Sequence, residues 1–188
     1  MTVIRNASNE LTEDTQGHHS PMHEDGGKDE ISITELTGTK VVYFKVNGFH
    51  YPNPGTDWTP QATGARLAAN KAAKVCWIPL NFLKIGDQIL GYNLVGDITE
   101  VGGDTVTLDC KITRINKADP ITETDLAGGG ITQVIANGNF DSVATLTNAE
   151  VVATDKQYIL IITGSTSNVS TTEEIVVMGA EIQIMRLT

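Results

Sequence analysis

Between residues 105 and 115 the chain alternates strictly. Val106, Leu108, Cys110 and Ile112 take one set of places, and Thr105, Thr107, Asp109, Lys111 and Thr113 take the other. A period of two sends successive side chains to opposite faces of an extended strand, so this segment buries one face and wets the other. A helix could not gather these residues into one apolar stripe, because its faces repeat every 3.6 residues. A lone half-apolar strand is not stable in water. It needs neighbours in a sheet and a second layer over its apolar face.

The rest of the chain beyond residue 40 supplies them. Val41, Val42, Tyr43, Phe44 and Val46 are β-branched or aromatic and run into Asn47-Gly48, a turn signal. Residues 76–80 form a short apolar run broken by Pro79, which places it at an edge or a strand end. LKIGD at 83–87 reads as a turn into a strand over 88–95, and Gly102-Gly103-Asp104 as another turn. After an irregular stretch from Asp119-Pro120 to Gly130, strands are expected near 132–136, 142–147 and 151–152. Residues 158–163 are apolar on both faces, as a strand at the core centre would be. A long final strand spans 174–187, with Met178, Ala180, Ile182 and Ile184 assigned to one face. Only GARLAANKAAK at 64–74 carries a helical composition, and a short helix is expected there. About eight strands separated by turn signals make an all-β chain, an antiparallel β-sandwich of jelly-roll type.

Residues 1–40 differ in kind. From Asn6 to Glu30 only Leu11 and Met22 are large and apolar, too few to offset the entropy of ordering. We read residues 1–40 as an extended N-terminal arm and 41–188 as the sandwich. Val3, Ile4, Leu11, Ile31, Ile33 and Leu36 are the arm's candidate anchors on a partner. The 188-residue chain holds 13 basic and 23 acidic side chains, a formal net charge of −10. Phosphate backbones need the opposite balance, so nucleic acid is not an expected partner. The longest uninterrupted apolar run, 159–162, is far too short to span a bilayer, and no membrane association is expected. The first residues carry no apolar stretch of signal-peptide type, so synthesis in a cytoplasm is expected.

Chemistry-bearing clusters are few. His18, His19 and His23 with Glu24 and Asp25 could ligate a metal. They sit in an arm without a core to hold a rigid coordination shell, so we expect no metal site and no cofactor. Gly128-Gly129-Gly130 has no following lysine or helix to cradle phosphate, and it reads as a turn. The carboxylate pairs Asp97/Glu100 and Glu123/Asp125 lie in turns, and Glu173-Glu174 reads as a solvated strand start. No catalytic residues are assigned, and the chain is not expected to be an enzyme. Cys76 and Cys110 lack metal-ligand spacing and read as buried free thiols. Trp58, within a loop-like stretch, reads first as a lid on the end of the sandwich; with Phe49 and Tyr51 near it, it could also form an interface or stack on a glycan.

Residues 78–89, Ile-Pro-Leu-Asn-Phe-Leu-Lys-Ile-Gly-Asp-Gln-Ile, resemble an opening pattern of small β-sandwich proteins in tailed-bacteriophage virions. The strand around Val106-Thr107-Leu108 and the blocks 156–162 and 177–182 are similar to the sheet strands of that group. The resemblance spans about 58–187 and implies a jelly roll that serves as a capsid decoration (cement) protein or head fibre, often trimeric. On that reading the chain is a structural virion protein on the outer capsid surface. It clamps neighbouring major capsid proteins through its arm and associates with itself as a homotrimer. An extended arm of ~35 residues reaches on the order of 115 Å, enough to cross between subunits. The alternative is a carbohydrate-binding, receptor-binding module of a phage tail fibre.

Overall fold

The alternating segments become strands whose apolar sides meet across two layers. A computed structural model describes residues 38–101, 106–134, 137–167 and 172–187, and of 132–134 the backbone only. The strands are β1 (Thr39–Val46), β2 (Trp58–Gln61), β3 (Gly64–Ala68), β4 (Lys71–Pro79), β5 (Gln88–Thr99) and β6 (Thr107–Asn116). There follow β7 (Thr122–Asp125), β8 (Ile131–Val134), β9 (Gly138–Val151), β10 (Lys156–Thr166) and β11 (Glu174–Leu187). One sheet has the order β2-β3-β11-β5-β9, with β1 also on β11. The other has the order β4-β10-β6-β7, with β8 also on β6. Between β3 and β11 the chain changes sheet at almost every connection. The resulting orders, β3-β11-β5-β9 facing β4-β10-β6-β7, are those of a jelly roll.

The expected helix at 64–74 is instead β3, a turn and β4. Ala65 and Leu67 are buried in alternation, which is a period of two. Asn70 makes the turn at φ 54°, a left-handed conformation that Asn tolerates better than most residues. Thr166 pins this crossing between sheets: its Oγ1 donates to the Ala68 carbonyl at 2.8 Å and accepts from the Lys71 N–H at 2.9 Å. Helix propensity is worth tenths of a kcal/mol per residue, and burial of Leu67 outweighs it.

The core is the sum of the inward faces. β10 lies between β4 and β6; Tyr158, Leu160 and Ile162 are buried, while Ile159 and Ile161 are half-buried on its outer side, as the doubly apolar sequence anticipates. β6 buries Leu108, Cys110 and Ile112 as the alternation requires. Cys76 and Cys110 both stand in register with Ile162, one on each side. Two strand spacings put their Cα atoms about 9.6 Å apart, beyond the ~7 Å limit of a disulfide. Both are free thiols. Burial pushes both thiols up, Cys110 to about 12. Tyr92 of β5 crosses the core to donate its hydroxyl to the Cys110 carbonyl on β6 at 2.7 Å, so the buried phenol is satisfied.

Two strand assignments shift. The segment expected at 142–147 and Val151 belong to the single strand β9, which runs from Gly138 to Val151 and leaves Val152 outside. Met178 does not share a face with Ala180, Ile182 and Ile184. Val177 pairs with Gly96 but Gly179 pairs with Val95, so Met178 is the extra residue of a β-bulge and turns to solvent.

Candidate functional site

The GD of the 78–89 stretch has a visible structural task. Gly86 adopts φ +88°, which residues with a Cβ avoid, and its N–H donates to the Val152 carbonyl at 2.9 Å. That turn sinks Asp87, whose carboxylate accepts the Lys84 N–H at 2.7 Å and both arms of the Arg186 fork at 2.8 and 2.6 Å. The Arg186 guanidinium first, then the Lys84 amide, hold the Asp87 carboxyl below the usual carboxylate range against the opposing effect of burial. Arg186 also lies 4.8 Å over the Phe44 ring, which stacks on Phe82 at 4.6 Å. The motif is therefore a clasp joining the turn to β11 and β1.

A second polar cluster ties the two sheets. Glu150 on β9 accepts from Arg114 Nη1 on β6 at 3.2 Å and from the Tyr158 hydroxyl on β10 at 2.9 Å. Burial first, then the Glu150 carboxylate, push the Tyr158 phenol well up. Asp125 accepts from Lys111 Nζ at 2.7 Å and from the Thr113 hydroxyl at 2.8 Å, so it is engaged in pairing and its carboxyl is held low, first by Lys111. Among the described residues no three His, Cys, Asp or Glu side chains converge as a metal site would require.

The surface feature best suited to a ligand is a groove of about 400 Å³ on the outer face of the β1/β11/β5 sheet. It is lined among others by Lys45, Asn47, Asn93, Val95, Met178 and Glu181. The Met178 bulge helps shape it, and Gly179 permits it: a Cβ there would stand 2.7 Å from the Val46 carbonyl oxygen of β1. Asn93 Oδ1 is buried and accepts no hydrogen bond among the described residues. A cation, a carboxylate, an amide side chain and two apolar side chains suit recognition of an extended polypeptide. Sequence reading missed this groove. Its signal is the phase slip in β11, where buried positions pass from 175 and 177 to 180, 182 and 184.

The residues singled out from sequence are placed unequally. Val3, Ile4, Leu11, Ile31, Ile33, Leu36 and the His18/His19/His23 cluster lie outside the described residues. Trp58 is not in a loop. It opens β2 and is fully buried, with its Nε1–H donating to the Lys74 carbonyl at 2.8 Å. Gly164 makes room for it, since a Cβ there would come within 2.8 Å of the indole. The ring has no solvent-exposed face to offer a sugar. Phe49 and Tyr51 are half-buried against the core and stack at 6.4 Å. Glu173, expected to be solvated, is fully buried, and Glu174 pairs with Arg66.

No family model matches the chain, and no curated protein matches it. Among solved structures, the enzymatically active domain of tailspike protein 4 of bacteriophage CBA120 aligns at a TM-score of 0.34 and 11% identity. The alignment covers 80% of this chain and 20% of that one. A likeness of that size carries no argument about role.

Proposed function

We propose that the chain is a structural virion protein, a capsid decoration (cement) protein of a bacteriophage head. Its jelly-roll body seats on the outer surface of the major capsid protein, and residues 1–40 clamp neighbouring capsid subunits. The observation that carries this reading is the groove on the outer sheet face. It combines the charged Lys45 and Glu181 with apolar Val95 and Met178, in a body whose acidity disfavours DNA and suits the outside of a filled head. Many weak contacts repeated by symmetry then act as one strong attachment.

The test is addition of purified protein to heads that lack it. Full-length chain is expected to bind. Chain lacking residues 1–35 is expected to fold and fail to bind, and Val95→Lys is expected to weaken binding without lowering Tm. Binding by both variants at full strength would refute the reading. The second reading, a carbohydrate-binding tail module, retains the stacked pair Phe49 and Tyr51 as its contact residues. Binding to a glycan array that is lost in Tyr51→Ala would favour it.

A further inference from the structure

The sequence contains two Asn-Gly pairs, Asn47-Gly48 and Asn137-Gly138. Such a pair carries latent chemistry. An asparagine side chain readily turns back onto its own neighbouring backbone. The backbone nitrogen that follows it can then attack the side-chain carbonyl carbon, and a following glycine has no Cβ to obstruct the approach. Two conditions decide whether a folded chain permits this. The asparagine amide must be free to turn, and the glycine N–H must not be held by an acceptor.

The two pairs are held differently. Asn137 Oδ1 accepts the N–H of Glu100, the residue after β5, which ties its amide down. Gly138 opens β9 and stands in register with Ile98 of β5. Ring closure there requires the hydrogen bond to break and the strand end to lift. Asn47 and Gly48 follow β1, and both are exposed. Among the described residues neither the Asn47 side chain nor the Gly48 N–H has a hydrogen-bond partner. The bond that shapes this turn runs from the Phe49 N–H to the Asn47 carbonyl at 3.0 Å and leaves the reacting atoms free. The space beside Gly48 is open, since a Cβ there would meet nothing within 4 Å.

We propose that Asn47 is a self-modification site, where the chain converts its own asparagine to aspartate and isoaspartate. The Gly48 nitrogen loses its proton to solvent base and bonds to Asn47 Cγ. The Cγ–Nδ2 bond breaks and ammonia departs, its extra proton supplied by water, leaving a succinimide ring. Water then adds to either ring carbonyl. Cleavage between the Gly48 nitrogen and Cγ gives aspartate. Cleavage between that nitrogen and the Asn47 main-chain carbonyl gives isoaspartate, whose main chain runs through the side-chain methylene. The sum consumes one water and releases one ammonia, with no change of oxidation state. The place matters because Asn47 lines the groove with Lys45 and Glu181. At neutral pH each conversion adds a negative charge there. Isoaspartate also lengthens the backbone directly after Val46, whose carbonyl oxygen lies so close to Gly179 that a Cβ there would stand 2.7 Å from it. The modification therefore changes both the charge and the floor of the groove. It is independent of the capsid reading and is tested on the purified protein alone.

The full chain is incubated in neutral and in mildly alkaline buffer, then mapped by peptide mass spectrometry and by enzymatic methylation of isoaspartate. Conversion is expected at Asn47, faster in the alkaline buffer because the Gly48 amide must lose its proton. At Asn137 it is expected to be at least about tenfold slower, the factor that one retained hydrogen bond supplies. In urea the two rates are expected to converge. Gly48→Ala keeps the fold, since its Cβ enters open space and Gly48 lies outside the left-handed region, and it is expected to slow conversion at Asn47. Isoaspartate marks passage through the ring, because direct hydrolysis of the amide yields aspartate alone. An Asn47 amide that lasts as long as that of Asn137 in the folded protein, product at position 47 without isoaspartate, or a Gly48→Ala rate equal to wild type would overturn the proposal.

Discussion

Replacing Asp87 by Asn should open the clasp behind the GD turn while leaving its shape intact. Asp87 is 2% exposed and accepts three hydrogen bonds, two of them from the Arg186 fork. The amide keeps one acceptor for the Lys84 N–H but turns an NH₂ group toward a guanidinium that also donates. Breaking one partner of a buried ion pair costs about 3–5 kcal/mol. Arg186 keeps some solvent, the Phe82 carbonyl and the Phe44 ring, which moves the expectation to the low end, about 3 kcal/mol. For a body of this size that is a Tm lower by about 6–12 °C. The pH dependence is diagnostic. The Asp87 carboxyl is held low in the folded chain, so its contribution is complete above its unfolded pKa of about 3.9 and fades as pH falls through the lower folded value. Thermal unfolding followed by circular dichroism should therefore show a wide gap between wild type and variant at neutral pH and a narrowing gap below about pH 4. A gap under about 2 °C at neutral pH, or one that does not change with pH, would refute the clasp.

Trp58→Ala should cost about 3–5 kcal/mol in urea unfolding, whereas a change within error would mean the indole is not a core residue. Cys76 and Cys110 should resist a thiol reagent in the native protein and react together once it is denatured; rapid native labelling of either would contradict their burial. Glu150→Gln removes the carboxylate that helps keep the Tyr158 phenol protonated, so alkaline difference absorbance should show one tyrosine titrating at lower pH than in wild type, and no change would exclude the Glu150–Tyr158 contact.

What the sequence made legible were the segments where one local pattern dominates. The alternation through Cys110, the doubly apolar run at 158–163 and Pro79 at a strand end all follow from side-chain period and backbone chemistry, and the sandwich they imply is the fold observed. Misreadings arose where tertiary packing overrode local composition. Alanine content at 64–74 pointed to a helix, while the alternate burial of Ala65 and Leu67 decided for strands. Gly and Pro around Trp58 pointed to a loop, while a glycine 106 residues later, Gly164, created the space that buries its ring. The groove was illegible for the opposite reason. It depends on one extra residue in β11, which a reading of faces absorbs as regular alternation.

The position of β11 has a consequence for how the molecule comes into being. This strand follows every other described strand along the chain, yet it lies in the interior of its sheet, between β3 and β5. Its partners Ala65 and Leu67 are more than a hundred residues upstream. The sheet of β2, β3, β11, β5 and β9 cannot close until residues 174–187 have been made, whereas every strand of the other sheet precedes them. Until then β3 and β5 present open flanks, the condition under which nascent β-rich chains clump. Packing of the two layers then waits on β11, and deletion of residues 174–187 should abolish the body rather than fray one edge of it.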